Sequence, residues 1–219
     1  MYTITIGDKA YSSWSLRGWL CLAGFGLEHR EELVPMYDPA FEAMQARNAP
    51  ARSVPQLSWQ EGGRTRRIWD TAAIAETLAE RHPRAGLWPA DPWARAVART
   101  VAGEMHSGFA VLRAACPMNF HRQDRPLAAP PEGLARDLDR LTAVWDWALA
   151  ETGGPWLGGA AFSVADVFYA PVASRLESYA LMTPATEAYA RALLDHPAMR
   201  RWRADALADP RRLSIYDRD

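Results

Sequence analysis

The alternation of apolar and polar residues predicts short strands and helices over the first third of the chain. Tyr2–Ile6 alternates β-branched and polar residues, which is typical of a strand, and Gly7-Asp8 ends it. Serines then precede apolar residues at helical spacing, which predicts a serine-capped helix that Gly24 or Gly26 can close. The pattern next predicts a strand at 31–35, a helix at 40–46, strands at 54–59 and 66–69, and a helix capped by Asp70. The predicted order is therefore β-α-β-α-β-β-α.

The pattern changes after residue 82. Residues 83–91 are rich in proline and predict a linker between domains. Beyond it every periodic segment is helical, with predicted helices at 92–118, 134–150, from 164 onward, 184–194 and 197–207. Ser163 and Asp166 form a variant of the capping box at the start of the third of these helices. We therefore expect an α/β domain over 1–82, a linker over 83–91 and an all-α domain over 92–219.

Composition and charge narrow the class of protein. The 219 residues are 49% hydrophobic and 23% charged, which excludes an intrinsically disordered chain. A net charge of −1 provides no electrostatic footprint for nucleic acid and no polybasic membrane patch. Cys21 and Cys116 suit neither a disulfide framework nor a metal cluster, and neither a signal peptide nor a membrane span is visible. We expect a cytoplasmic protein with no metal, nucleic acid or membrane partner.

The serines at the start of the first helix are candidates for catalysis. A helix N-terminus carries a partial positive charge and free N–H donors, so it stabilises an anion. A hydroxyl there can donate to a thiolate and lower the pKa of a thiol from about 8.5. The same serine can also be a plain N-cap. Because no nucleophile-elbow motif or catalytic triad surrounds Ser12 or Ser13, a functional serine here would orient another nucleophile rather than attack.

Two further motifs suit the ends of a peptide-like ligand. A cis bond between Val54 and Pro55 would turn the Val54 N–H and C=O outward, where an extended ligand could pair with them. Asp70 can act only as an N-cap, or its carboxylate can also bind an ammonium while Thr71 and nearby N–H groups hold a carboxylate. The three motifs together describe a site for a small zwitterionic thiol. An X-Pro bond at the start of a strand is usually trans, but the place of Val54-Pro55 in this order of elements leads us to expect a cis bond.

These motifs, in this order, resemble the glutathione transferase family over nearly the whole chain. That family has a Ser, Tyr or Cys after the first strand, then a cis Val-Pro, then an acidic residue followed by Ser or Thr at a helix start. In the second half, residues 156–166 resemble the family's Gly…Phe-(Ser/Thr)-x-Ala-Asp helix-start box, and residues 196–202 resemble its closing Pro…Trp segment. The Ser-Ser-Trp-Ser segment most resembles bacterial relatives of the theta and zeta classes.

The resemblance implies a fold and a set of ligand contacts. It implies a thioredoxin-like domain over 1–82, an electrophile-binding helical bundle over 92–219 and a homodimer. Ser12, or as second choice Ser13, is expected to stabilise the thiolate of the co-substrate glutathione. The residues expected to bind glutathione are Ser12, Arg52, Val54, Pro55, Asp70 and Thr71. The chain departs from the family by having Ser53 where Lys or Arg is usual, with Arg52 one residue earlier, and Asp70 where Glu is usual.

The first helix of the second domain is expected to line the electrophile pocket. Met105, His106, Phe109 and Arg113 share one face of the predicted helix at spacings of three and four residues. The resemblance places this helix against the pocket, whereas the residues alone are equally typical of a packed helix face.

The sequence thus predicts a glutathione transferase that attacks a small hydrophobic electrophile. Within the enzyme class, the alternatives are a maleylacetoacetate-type isomerase, a disulfide reductase or a peroxidase, all dependent on glutathione. In a different class, the chain would be a non-catalytic binding or regulatory protein with the same fold. A dinucleotide-binding enzyme is disfavoured because no GxGxxG follows the first strand.

Overall fold

A computed structural model describes residues 1–217, and its first third contains one mixed four-stranded sheet. The strands lie in the order β2-β1-β3-β4, with β1 parallel to β2 and both other pairings antiparallel. The strands are β1 (Tyr2–Ile6), β2 (His29–Leu33), β3 (Gln56–Glu61) and β4 (Arg64–Trp69). The helices between them are α1 (Ser13–Ala23), α2 (Pro39–Arg47) and α3 (Thr71–Arg81). The predicted order of elements is confirmed, as is the thioredoxin-like fold.

The rest of the described chain is helical, which confirms the second half of the predicted fold. Its α-helices are α4 (Pro92–Ser107), α5 (Ala110–Ala115), α6 (Leu134–Thr152), α7 (Val164–Ser178), α8 (Pro184–Asp195) and α9 (Pro197–Ala208). A short 3-10 helix, Ser214–Tyr216, follows near the end.

The single helix predicted for residues 92–118 is wrong, because the backbone breaks after Ser107. Gly108 is extended, and Phe109 has a left-handed conformation with φ of 56°. These two residues end α4 and start the separate helix α5 in a new direction. Hydrophobic periodicity does not reveal such a break, because the apolar spacing continues on both sides of it.

Helix α7 joins the two halves of the molecule. It is buried along nearly its whole length and packs against α1, α4 and α8. The predicted capping box is present at its start, where the buried Asp166 carboxylate accepts hydrogen bonds from the N–H groups of Ser163 and Leu157 and from the hydroxyls of Ser163 and Tyr189. Because α7 also contacts α1, the N-terminus of α1 is held against the helical half.

A close approach between α1 and the start of β3 depends on Gly18. A Cβ at this position would lie 2.5 Å from the Cγ of Pro55. Only glycine lets the helix backbone pack directly on the Pro55 ring. This contact sets how close the Val54-Pro55 segment lies to α1.

Candidate active site

A cleft of about 550 Å³ lies where the sheet domain meets the helical half. One wall is formed by the start of α1, including Ser12, Ser13 and Trp14, and by residues 52–54. The opposite wall includes Arg113 on α5 and Arg175 on α7. The cleft therefore collects side chains that are far apart in the sequence.

Ser12 is the N-cap of α1 and is buried beside the cleft. Its Oγ accepts a hydrogen bond from the Ser15 N–H at 3.2 Å and donates to the Ser15 Oγ at 2.8 Å. Ser15 Oγ in turn accepts from the Gly7 N–H at 2.9 Å, which ties the end of β1 to α1. The Ser12 hydroxyl is thus oriented by its neighbours, and its proton is directed at the Ser15 Oγ.

Ser13, the first residue of α1, faces the same cleft in a different hydrogen-bonding state. Its Oγ accepts a hydrogen bond from Arg175 Nη2 at 3.1 Å. Since the oxygen accepts this bond, the Ser13 proton remains available to an acceptor in the cleft. Both candidate serines therefore lie in the cleft wall, and they differ in where their protons point.

The Val54-Pro55 peptide bond is cis, as predicted. Val54 lines the cleft beside Arg52 and Ser53, while Pro55 lies behind it against Gly18. Neither the N–H nor the C=O of Val54 has a hydrogen bond to the described part of the chain. A nearly buried backbone unit with both groups unpaired is a ready partner for an extended peptide ligand.

Asp70 caps α3 and also contacts the helical half. Its Oδ1 accepts hydrogen bonds from the N–H groups of Ala72 and Ala73, at 2.8 and 3.3 Å. Its Oδ2 lies 3.2 Å from Nε2 of His106 on α4. The next residue, Thr71, has a buried Oγ1 without a partner among residues 1–217. Asp70 and Thr71 do not line the 550 Å³ cleft itself.

Only Arg113 of the predicted electrophile-pocket residues lines the cleft. Met105 is fully buried in the core, and Phe109, 5% exposed, packs edge-on against Tyr169. His106 packs against the rings of Trp14 and Phe168 and points its Nε2 at Asp70. The break at Gly108 and Phe109 explains the difference, because it separates Arg113 on α5 from Met105 and His106 on α4.

The sequence analysis missed two groups in the cleft wall. Arg175 follows a long apolar run on a buried helix, and a charged residue at such a position is the sequence feature that could have indicated it. Tyr216 lines the cleft from the C-terminal segment, where its ring stacks on Tyr11 with centroids 5.0 Å apart. Nothing in the local pattern indicates this second placement.

The cleft is electropositive, and its neighbouring cysteine is inert. Burial, reinforced by the charge of Arg113, lowers the pKa of Arg175 to about 10. Burial raises the pKa of the Cys116 thiol to about 11 and that of Cys21 to about 12. Thiols of this kind are poor nucleophiles near neutral pH, so a thiolate used here must come from a ligand.

No group of three or more His, Cys, Asp or Glu side chains within residues 1–217 is arranged to hold a metal ion. None of the helices in this range is both long and apolar enough to span a bilayer.

Comparison with known proteins agrees with this geometry. Residues 11–81 match the family model of the glutathione S-transferase N-terminal domain. A maleylacetoacetate isomerase from Anaeromyxobacter dehalogenans 2CP-1, solved with dicarboxyethyl glutathione and citrate in its active site, is 27% identical, with a TM-score of 0.68 over 97% of this chain and 98% of that one. The same isomerase solved with bound glutathione is 28% identical, with a TM-score of 0.67 over 96% and 97% of the two chains.

A more distant neighbour shares the fold. A glutathione transferase from Methylococcus capsulatus is 20% identical, with a TM-score of 0.69 over 95% of this chain and 100% of that one. The search of curated protein sequences found no match. The fold and the cleft define a glutathione-transferase-like architecture. Residues 11–81 form a glutathione S-transferase N-terminal domain, and the chain as a whole has the fold of the glutathione transferases.

Proposed function

We propose that this protein is a glutathione transferase that binds glutathione along the sheet-domain wall of the cleft and transfers the glutathionyl group, through its sulfur, to a small electrophile on the helical wall. The observation that carries the proposal is the unpaired Val54 backbone, which faces the same cleft as Ser12 and Ser13. An extended cysteinyl backbone can pair with Val54 while its thiol reaches the N-terminus of α1.

The ends of glutathione have matching groups on either side of Val54. Arg52, in the cleft wall, pairs with the glycyl carboxylate. Asp70 Oδ2, which is not used in capping, accepts from the γ-glutamyl ammonium. The unpartnered Thr71 hydroxyl, at the N-terminus of α3, holds the γ-glutamyl carboxylate.

The N-terminus of α1 supplies the chemistry. A free thiol has a pKa of about 8.5, so a reduction of one or two units ionises most of it near pH 7. A hydroxyl donor and the positive end of a helix can supply this without a metal or a general base. On binding, the Ser12 proton turns from Ser15 to the sulfur. Ser13 is the second candidate because its proton is already available to the cleft.

The reaction is a displacement or an addition at carbon. The sulfur lone pair forms a C–S bond, and the leaving group departs with its bonding electrons, or a conjugated acceptor takes up the electrons and then a proton from water. The protein's residues hold the thiolate and orient the electrophile, and Cys21 and Cys116 take no part in the reaction.

An isomerase reaction is the second candidate within the same chemistry. The isomerase from Anaeromyxobacter dehalogenans resembles this chain over almost its full length. In an isomerase, the C–S bond of the glutathione adduct would break again and release the glutathione thiolate, so glutathione would not be consumed. The two reactions are distinguished by whether glutathione is consumed.

The test is turnover with glutathione on two substrates, 1-chloro-2,4-dinitrobenzene and maleylacetoacetate. Conjugation that the Ser12→Ala or Ser13→Ala variant loses supports the transferase, whereas isomerisation without glutathione loss supports the isomerase. Ser58→Ala, a serine of β3 outside the cleft lining, is the matched control and should keep wild-type rates. Tight glutathione binding with no turnover on either substrate would favour a binding protein.

The assembly and location are part of the proposal. The protein is a cytoplasmic homodimer, as the family resemblance implies and as most soluble oligomers are closed two-fold dimers. Large exposed side chains such as Trp93 and Trp147 are available for a partner surface on the helical half.

A further inference from the structure

The helical wall of the cleft carries two arginines that have no carboxylate partner. Arg113 and Arg175 line it, and no aspartate or glutamate is among the described residues of its lining. Neither arginine forms an ion pair within residues 1–217, whereas other arginines, such as Arg81 and Arg140, pair with a glutamate. The cleft therefore presents positive charge that the protein itself does not neutralise.

Arg175 is held rigidly but is incompletely satisfied. It is 4% exposed, and its Nε donates to the Cys116 carbonyl at 2.8 Å while Nη2 donates to Ser13 Oγ at 3.1 Å. Its Nη1 is buried and has no acceptor in the described chain. A buried charged donor without an acceptor is unfavourable, so an anion at this position would be bound favourably.

Arg113 adds a second cation on the same wall. Its guanidinium lies 4.9 Å from the centroid of the Trp14 ring, and that of the fully buried Arg17 lies 4.8 Å from the same ring. The Trp14 ring thus orients Arg113 but contributes no full negative charge. Burial, followed by the charges of Arg175 and Arg113, lowers the pKa of Arg17 to about 9, as expected where cations lie close together without anions.

We propose that Arg113 and Arg175 form an anion subsite that holds a carboxylate of the electrophile beside the glutathione sulfur. This inference rests on the proposed function, in which Arg52, Asp70 and Thr71 already hold the charged ends of glutathione. The substrate class is a small electrophile with a carboxylate on one side and an apolar reacting part that packs against Trp14 and Met118. The purely hydrophobic electrophile expected from the sequence is thereby replaced by an anionic one.

A pair of aromatic electrophiles that differ only in charge tests the subsite. 4-Chloro-3-nitrobenzoate and 4-chloro-3-nitrobenzamide react with glutathione in the same way: the sulfur bonds to the ring carbon that bears chlorine, and chloride leaves with its electron pair. Each kcat/KM is divided by the uncatalysed rate with glutathione, which removes the difference in intrinsic reactivity. We expect this normalised ratio to favour the acid by about ten-fold or more, as for a charge-assisted hydrogen bond.

The variants locate the preference. Arg113→Gln should bring the acid-to-amide ratio close to one, and Arg113→Lys should restore part of it because the charge remains. Arg136→Gln, on the exposed face of α6, is the matched control and should keep the wild-type ratio. An unchanged ratio in Arg113→Gln would overturn the subsite. An equal loss of kcat/KM for the acid and the amide, together with a raised pKa of bound glutathione, would also overturn the subsite. The arginines would then stabilise the thiolate instead of the electrophile.

A binding measurement separates failure of the subsite from failure of the proposed function. Calorimetry on the wild-type protein compares the unreactive 3-nitrobenzoate and 3-nitrobenzamide, with and without saturating S-methylglutathione. Tighter binding of the acid in either condition supports the subsite even if no conjugation is observed. Equal binding of acid and amide to a protein that binds S-methylglutathione would overturn the subsite alone. Absence of S-methylglutathione binding would contradict the proposed function.

Discussion

The imidazole Nε2 of His106 lies 3.2 Å from Oδ2 of Asp70, so α4 contacts the carboxylate that caps α3. Asp70 has φ of 76° and ψ of 131°, and Asp and Asn adopt positive φ more readily than most residues. The same carboxylate therefore caps the N-terminus of α3, contacts the helical half and offers an oxygen to a ligand ammonium. These roles can be separated by substitution.

Asp70→Asn should weaken glutathione binding about ten-fold or more, because the ammonium then donates to a neutral amide oxygen and the ion pair with the carboxylate is lost. Asparagine caps helices about as well as aspartate and tolerates the same backbone, so the unfolding midpoint should stay near that of the wild type. Calorimetric titration with glutathione measures the first quantity and thermal unfolding the second. Wild-type affinity in the variant would leave Asp70 as a structural residue only.

Ser12→Ala should lower kcat for conjugation by about 10²–10³ with a smaller effect on the KM for glutathione, since a donor to the thiolate is lost. The pKa of bound glutathione, followed by thiolate absorbance, should rise in the same variant. Ser13→Ala is the paired measurement. If Ser13→Ala shows the large loss and Ser12→Ala does not, the proton that stabilises the sulfur belongs to Ser13.

Asp166→Ala should lower the free energy of unfolding by about 3 kcal/mol or more. The buried carboxylate accepts from Ser163, Leu157 and Tyr189, and each buried donor left unpaired costs about 1–3 kcal/mol. Urea unfolding measures the change. Asp139→Ala, at an exposed position on α6, is the control and should stay within about 0.5 kcal/mol of the wild type. A loss as small as that of the control would show that the capping box does not anchor α7.

Stability should fall as the pH drops below about 6.5, in part because of His196. This imidazole stacks on Phe162 with ring centroids 4.1 Å apart, and burial lowers its pKa below the ordinary value of 6.5. The unfolded chain then binds the proton first as the pH falls, so folding loses free energy between about 6.5 and the lower native pKa.

Urea unfolding at several pH values from 5 to 8 measures this dependence. His196→Gln, which cannot titrate, should reduce the slope below pH 6.5, and the residual slope should include His121, whose pKa burial also lowers. A variant with the wild-type slope would exclude His196 as a source of the pH dependence.

The proposed dimer should be visible by light scattering at micromolar concentration. The expected mass is about twice the chain mass of 24.4 kDa. A protein that is monomeric at this concentration and still conjugates glutathione would show that the second subunit is not needed for the site.

Helix starts, turns and the order of elements along the chain could be predicted from the sequence because they depend on neighbouring residues. Ser12 caps α1, Asp70 caps α3 and Asp166 closes a capping box, as local donors and acceptors dictate. Gly62 and Gly63 both have positive φ at the turn between β3 and β4. The candidate glutathione contacts follow from the family resemblance and stay predictions.

The helical wall of the cleft could not be predicted in this way. One face was expected to carry Met105 and Arg113 together, but the left-handed Phe109 directs Arg113 to the cleft and leaves Met105 in the core. Helical periodicity identifies residues that share a face but not which of them meet a partner and which meet a ligand.

The sequence by itself determined the helix caps, because each cap depends on donors and acceptors a few positions apart. Its motifs determined the class of fold and the expected cis bond at Val54-Pro55 through their resemblance to the glutathione transferase family. Only the tertiary structure decided that Arg175 donates to Ser13 across 162 positions of sequence and keeps one guanidinium nitrogen unpaired. That contact exists because α7 packs against α1, and the packing of two helices depends on the whole core rather than on any local pattern.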